Sequence, residues 1–281
     1  MELHESRNIQ IKKIIEQTLS EDLGTGDITT DSIILPNQNA HGIFKTSESG
    51  IIAGLNIAKM LFKILDSKID FQMKVCDGQR ASSGQIIAEI NGSARPILKG
   101  ERVALNLLQR LSGIATMTSR FCNEVKDFSA HIVDTRKTTP GLRVLEKYAV
   151  RVGGGKNHRF GLYDAILIKD NHIALAGGIK PAVQSAKKNA SHMVKIEIEV
   201  VNLFQLKEAL EEDVDIIMLD NMDLIDMKKA VEMSRGQVLL EASGGITLEK
   251  VKAIAQTGID LISVGALTHS VKSLDINLEI I

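Results

Sequence analysis

The chain of 281 residues carries 34 Lys and Arg against 35 Asp and Glu, so its charge is balanced overall and a polyanion-binding surface is not expected. Aromatic residues make up 3%, tryptophan is absent, and Cys76 and Cys122 stand alone, which argues against a base-stacking platform for nucleic acid, a zinc motif and a disulfide scaffold. The 44% hydrophobic content fills one large core or two modest ones, no apolar run is long enough to span a bilayer, and the start MELHESRNIQIKK lacks the order of a secretory signal; a cytoplasmic protein without nucleic-acid or membrane partners is expected.

Residues 9–23, IQIKKIIEQTLSEDL, repeat apolar side chains at helical spacing, and GTGDITT then breaks the helix. HGIFKTSESGIIAGL and FQMKVCDGQRASSGQIIAEING follow as strand-like runs joined by Gly-rich turns, which predicts an N-terminal α+β sandwich domain over residues 1–110. The DGQ and SGQIIAEI segments look like a fragment of a biotinyl or lipoyl carrier domain, but no lysine stands at an obvious hairpin tip, and a plain β-hairpin is the preferred reading. Residues 100–120 predict an amphipathic helix with Val103, Leu107, Leu108 and Leu111 as its apolar stripe. Arg102 and Arg110 read as solvated ends of that helix, with Arg102 of interest only if something anionic faces it.

Residues 111–281 read as an α/β barrel domain, with a return of the C-terminal helix to the first domain allowed. Short β-branched runs, HIVDTRK, AILIKDN, VKIEIEV, DIIMLDN, VLLEASGG and LISVGAL, alternate with helix-period segments such as 203–212, 223–234 and 247–258, the last opening on Thr247 and closing at Gly258. Glu199 to Asp220 and Asp220 to Glu241 are each 21 residues apart, room for one strand, one helix and tight loops. No GxGxxG turn announces a doubly wound nucleotide fold, so a barrel is preferred, with Lys137, Lys169, Glu199, Asp220 and Ser243 at the carboxyl ends of its strands.

Residues 134–172 are locally basic, with eight Lys or Arg against four Asp or Glu. Arg136-Lys137 and His158-Arg159 are suited to gripping carboxylates or phosphates through charge-assisted hydrogen bonds, and Gly153-Gly154-Gly155 between them suits a close backbone approach to a ligand. Glu199 and Asp220 are two acids at successive strand ends. Glu197, two residues before Glu199, is read as an outward acid on a half-exposed strand, and Asp220 follows the apolar run IIML, where an unpartnered charge would be costly.

The segments EDLGTGDITT, ERVALNLLQRLSGIAT, DTRKTTPGLR, GGGKNHRFGLYDAILIKDNH, EIEV, LDN, EASGGI and SVGALTH, in this order over nearly the whole chain, resemble the quinolinate phosphoribosyltransferase family, also called nicotinate-nucleotide pyrophosphorylases. The molybdenum-transport-associated homologue is the nearest confusable relative and tends to lack the KDNH form, which stands intact at 169–172. The resemblance implies an incomplete TIM-like barrel of about seven strands and a homodimer, or a hexamer built on it, in which Arg102 is delivered to the partner's site. It implies transfer of the phosphoribosyl group to quinolinate with magnesium, giving nicotinate mononucleotide, pyrophosphate and carbon dioxide in NAD biosynthesis.

By the same resemblance Arg102, Arg136, His158, Arg159 and Lys169 line the quinolinate pocket, Thr135 is a further substrate-binding residue, and Lys137 stands where the two substrates meet. Glu199 and Asp220 face the ribose and the metal–pyrophosphate, partly through water. Ser243, Gly244 and Gly245 with Val264, Gly265, Ala266 and His269 cradle the 5′-phosphate. Lys137, Lys169, Glu199 and Asp220 form the catalytic set, and His172 is an orienting or packing residue. Two readings stay open beside this one: a different acceptor, as in the molybdenum-associated homologue, and a Schiff-base barrel enzyme using Lys169.

Overall fold

The computed structural model describes residues 5–281, with side chains from Asn8 onward; residues 1–4, part of the start read above for a signal, lie outside the described residues. The first elements are α1 (Glu5–Leu23), α2 (Ile28–Ile33), β1 (Asn39–Thr46), β2 (Gly50–Ile51), α3 (Leu55–Leu65), β3 (Asp70–Met73), β4 (Arg80–Ala81), β5 (Ile86–Ser93), α4 (Ala94–Val125), β6 (His131–Val133) and α5 (Arg143–Val152). Then come β7 (Ile166–Ile168), α6 (Asp170–Ala176), α7 (Ile179–Asn189), β8 (Ile196–Val200), α8 (Leu203–Leu210), β9 (Ile216–Asp220), α9 (Leu224–Ser234), β10 (Leu239–Ser243), α10 (Leu248–Ala255), β11 (Leu261–Ser263), α11 (Ala266–His269) and β12 (Ile276–Ile280). Residues up to Ser119, 139–154 and 271–281 form one unit, and residues 120–138 and 155–270 form a second.

In the first unit an antiparallel sheet of order β12-β1-β5-β3 and a two-stranded ribbon of β2 and β4 give the expected α+β sandwich domain. Alternation along β1 turns Phe44 inward, and its ring lies 6.0 Å from that of Phe62 on α3 and 5.5 Å from that of Phe71 on β3. The segment compared with a carrier domain is not a hairpin of its two halves. Arg80 and Ala81 pair with β2, whereas β5 pairs with β1 and β3. The C-terminal segment does return to this unit, but as strand β12 against β1 and not as a helix.

The boundary drawn at residues 110 and 111 falls inside α4, which runs unbroken from Ala94 to Val125 because Pro96 sits in its first turn and the remainder is rich in helix formers. Arg110 is no solvated helix end. It donates to Glu146, a fully buried acid on α5, at 2.8 and 2.5 Å, and to Thr139 Oγ1 at 2.7 Å. Gly153 belongs to this unit too: a Cβ there would come within 2.4 Å of the Ala115 carbonyl, so the glycine serves the packing of α5 against α4 and not the approach of a ligand.

The second unit is a parallel sheet of order β6-β11-β10-β9-β8-β7, and all six runs singled out in the sequence form strands. A parallel bridge between Val133 and Lys156 adds a seventh position beside β6, so the expected seven strands are six strands and one bridge, open between that bridge and β7 among the described residues. Helix alternates with strand as the sequence periodicity requires, and Asn202 and Asp223 cap α8 and α9 by accepting from Gln205 N–H and Asp226 N–H. The register aligns Glu199 of β8 and Glu241 of β10 with Met218 of the β9 strand between them, so the two acids stand level on either side of β9. Among the described residues, no helix is long and apolar enough to cross a membrane.

Candidate active site

A cavity of about 730 Å³ opens at the carboxyl ends of the second unit's strands. Its wall takes Thr135, Arg136 and Lys137 from beyond β6, His158 and Arg159 from beyond the Lys156 bridge, and Lys169 from the residue after β7. Glu199 is the penultimate residue of β8, and Asp220 and Ser243 end β9 and β10. Gly244, Gly245, Gly265, Ala266 and His269 complete the predicted set, which comes together as a barrel geometry requires. Arg102 and Val264 are not in this wall: Arg102 is exposed on α4, and Val264 is buried with its N–H donated to the Val133 carbonyl at 3.0 Å. The glycine triplet 153–155 does not line the cavity either.

Local hydrogen bonds set each cation. Thr135 Oγ1 accepts the Lys137 N–H at 3.0 Å, and Thr268 Oγ1 donates to the Lys137 carbonyl at 2.8 Å, which tightens the turn that carries Arg136 and Lys137. A Cβ on Gly265 would lie 3.1 Å from His269 Nε2 and 3.2 Å from Lys137 Cδ, so the lysine stem and the histidine ring converge on that glycine. Arg159 donates from Nη1 to the Ala165 carbonyl at 2.9 Å. Burial first and the neighbouring Arg136 charge second depress its guanidinium pKa, with the Glu197 and Asp164 charges opposing.

Lys169 Nζ lies 2.6 Å from Glu199 Oε2, and its backbone N–H donates to His172 Nδ1 at 2.9 Å, so His172 orients the start of α6. An amine held in that ion pair is not the free nucleophile a Schiff-base enzyme needs. Asp220 Oδ2 accepts from Asn221 at 2.8 Å, and among the described residues no cationic side chain pairs with it. Gly244 has φ +94, and a Cβ there would lie 2.2 Å from Asn221 Oδ1, so only glycine fits the turn after β10.

Three buried acids were not assigned to the site. Glu197 is 4% exposed, not outward, and its Oε2 lies 3.0 Å from His158 Nε2. Glu241, 1% exposed, approaches the same nitrogen at 3.8 Å, and its carboxyl is pushed up to about 7, first by burial and then by the Glu197 charge. Asp134, fully buried, accepts from Asn157 Nδ2 at 2.6 Å and from the His158 N–H at 2.9 Å. One signal was present: residues two apart on a strand share a face, so an inward Glu199 obliges Glu197 to point inward as well.

The family model of the quinolinate phosphoribosyl transferase N-terminal domain matches residues 27–112, and that of its C-terminal domain matches residues 114–279. A Bacillus subtilis protein named as a probable carboxylating nicotinate-nucleotide pyrophosphorylase is 48% identical over 273 residues, covering 97% of this chain and 94% of its own. A mitochondrial decarboxylating quinolinate phosphoribosyltransferase of Nicotiana tabacum is 41% identical over 289 residues, covering 96% and 82%. The crystal structure of NadC from Streptococcus pyogenes superposes with a TM-score of 0.95 at 42% identity, covering 99% of this chain and 98% of that one. With both domain models matched in order and these relatives aligned over nearly their whole length, the chain belongs to the quinolinate phosphoribosyltransferase family.

Proposed function

We propose that the protein transfers the phosphoribosyl group of phosphoribosyl pyrophosphate to quinolinate with loss of carbon dioxide, giving nicotinate mononucleotide and pyrophosphate for NAD biosynthesis. One observation carries the reading: Arg136, Lys137, Arg159 and Lys169 converge from three chain segments on one cavity. The two substrates bring two adjacent carboxylates, a phosphate and a pyrophosphate, and these anions need such a set of cations. Arg136 and Arg159 hold the carboxylates together with Lys169, which must exchange Glu199 for substrate. Lys137, whose stem runs beside Gly265, faces the departing pyrophosphate. Ser243, Gly244, Gly245, Gly265 and Ala266, with His269, hold the 5′-phosphate.

Magnesium belongs to the same reading. Asp220 suits it as a hard oxygen donor without a cationic partner, and Glu199 on the next strand becomes available once Lys169 has moved. When bound, the ion neutralises pyrophosphate charge. The pyridine nitrogen bonds to the anomeric carbon as the bond to pyrophosphate breaks and its electron pair leaves with pyrophosphate. Side chains held in place beforehand stabilise that charge without reorganising. Carbon dioxide then departs, its electron pair remains on the ring carbon beside the cationic nitrogen, and a proton from water quenches it. No side chain acts as a nucleophile.

A homodimer in which the exposed Arg102 reaches the partner's cavity, and a cytoplasmic location, complete the proposal. The test mixes purified protein with quinolinate, phosphoribosyl pyrophosphate and magnesium and follows nicotinate mononucleotide and carbon dioxide. Formation of both, abolished without magnesium, is expected. Pyrophosphate release only with a different pyridine or base would overturn the acceptor.

A further inference from the structure

We propose that Glu197 and Glu241, two buried acids without a place in the scheme above, are positioning residues that act through His158 on Arg159. The proposal rests on the quinolinate reading, since Arg159 is the carboxylate grip it positions. His158 Nδ1 accepts the Arg159 backbone N–H at 2.8 Å and therefore carries no proton. Its Nε2 lies 3.0 Å from Glu197 Oε2, to which it donates. The imidazole is thus neutral with its proton on Nε2, and both of these nitrogen contacts are made inside the protein.

The consequence falls on the next residue. Asp134 accepts from Asn157 Nδ2 and from the His158 N–H, the His158 ring accepts the Arg159 N–H, and the Ala165 carbonyl accepts from the Arg159 guanidinium. Residues 157–159 are pinned at four points, and the one that fixes the arginine backbone depends on the tautomer that Glu197 selects. Glu241, 3.8 Å from Nε2, stands at the same ring nitrogen and limits rotation of the ring toward β10. The donor atoms of His158, Glu197 and Glu241 all lie within 4.8 Å of one another. A cation among them would need the Nε2 lone pair, would break the bond to Glu197 and would lie near the Arg159 charge that Glu197 already feels. The hydrogen-bonded chain uses the arrangement as it stands.

The test is steady-state kinetics with direct quinolinate binding by calorimetry for wild type, Glu197→Ala, Glu197→Gln and Glu241→Ala, beside nitrogen-15 NMR of histidine-labelled wild-type protein. Glu197→Ala is expected to raise the KM and Kd for quinolinate about 10- to 100-fold, as a displaced binding group does, while the KM for phosphoribosyl pyrophosphate stays within about twofold. Glu197→Gln, whose amide oxygen still accepts from Nε2–H, is expected to recover most of the loss, and Glu241→Ala to raise the quinolinate KM severalfold. The NMR spectrum is expected to show His158 neutral and protonated on Nε2. An imidazolium, the Nδ1–H tautomer, or equal losses for both substrates would overturn the positioning role, and the NMR result stands even if an alanine variant does not fold. Wild-type protein that fails to bind quinolinate sinks the functional reading; wild type that binds it while Glu197→Ala binds equally well sinks the positioning role alone.

Discussion

Replacing Glu241 by Gln should flatten the pH dependence of stability. The side chain is 1% exposed and its carboxyl is pushed up to about 7 from 4.5, by burial and then by the Glu197 charge; His158, Asp134 and the Ser263 hydroxyl also face it. A folded-state value above the unfolded one means the folded chain holds the proton more tightly, so its stability falls as pH rises from about 4.5 to about 7 and stays low beyond. Between pH 5.5 and 8 the wild type should lose roughly 2 kcal/mol that the variant keeps. For units of this size that corresponds to a difference of roughly 4 to 8 °C in the pH-induced change of melting temperature. Scanning calorimetry of both proteins at the two pH values measures it. Parallel curves would show that Glu241 is ionised without penalty in the folded protein and would refute the account of the buried acids.

Arg159→Ala and Arg136→Ala should each raise the quinolinate KM by about 10- to 100-fold, the cost of a lost charge-assisted carboxylate grip of about 1.5–3 kcal/mol, and near-normal quinolinate kinetics in both would remove the pocket assignment. Arg110→Ala leaves Glu146 buried without its guanidinium and should destabilise the first unit by about 3 kcal/mol, read as a lowered denaturant midpoint; a midpoint equal to wild type would mean the acid is solvated there. Gly244→Ala meets Asn221 and a positive φ at once and should weaken phosphoribosyl pyrophosphate binding more than quinolinate binding, which calorimetry with each substrate separates.

The order of strands and helices in the second unit was legible because each parallel strand is a short apolar run, and each helix carries its own period and cap. The basic cavity was legible because its cations lie within a few residues of those strand ends. Glu197 and Glu241 were not. Hydrophobic periodicity treats an acid on a strand as solvent-facing, whereas at the carboxyl end of an open barrel the inward face is itself polar. Arg110 was missed for a related reason: its partner Glu146 lies 36 residues away in the sequence, and no local pattern links them. Gly153-Gly154-Gly155 misled, since a glycine run beside basic residues reads as a ligand loop, while the backbone of α4 at Ala115 is what Gly153 must admit.

The buried acids answer a problem that the anion site creates for itself. Guanidinium groups gathered for a dicarboxylate repel one another before it arrives, so that the Arg136 charge adds to burial in depressing the Arg159 pKa, and without compensation the loops bearing them would splay. Ion-pairing each arginine directly would hold the loops but occupy the donors that substrate requires. Glu197 avoids this by bonding to His158, with its charge near Arg159 and its hydrogen bond spent on the neighbouring ring. Asp134 accepts from the His158 N–H and so fixes the same segment. Lys169 differs from Arg159 in pairing directly with Glu199 at 2.6 Å, and its side chain is 45% exposed, so the exchange of partners takes place where water screens the separated charges. Acids that bond to the frame and not to the Arg159 donors leave that guanidinium to the substrate on a fixed segment, which is the condition for gripping a carboxylate without a large cost in reorganisation.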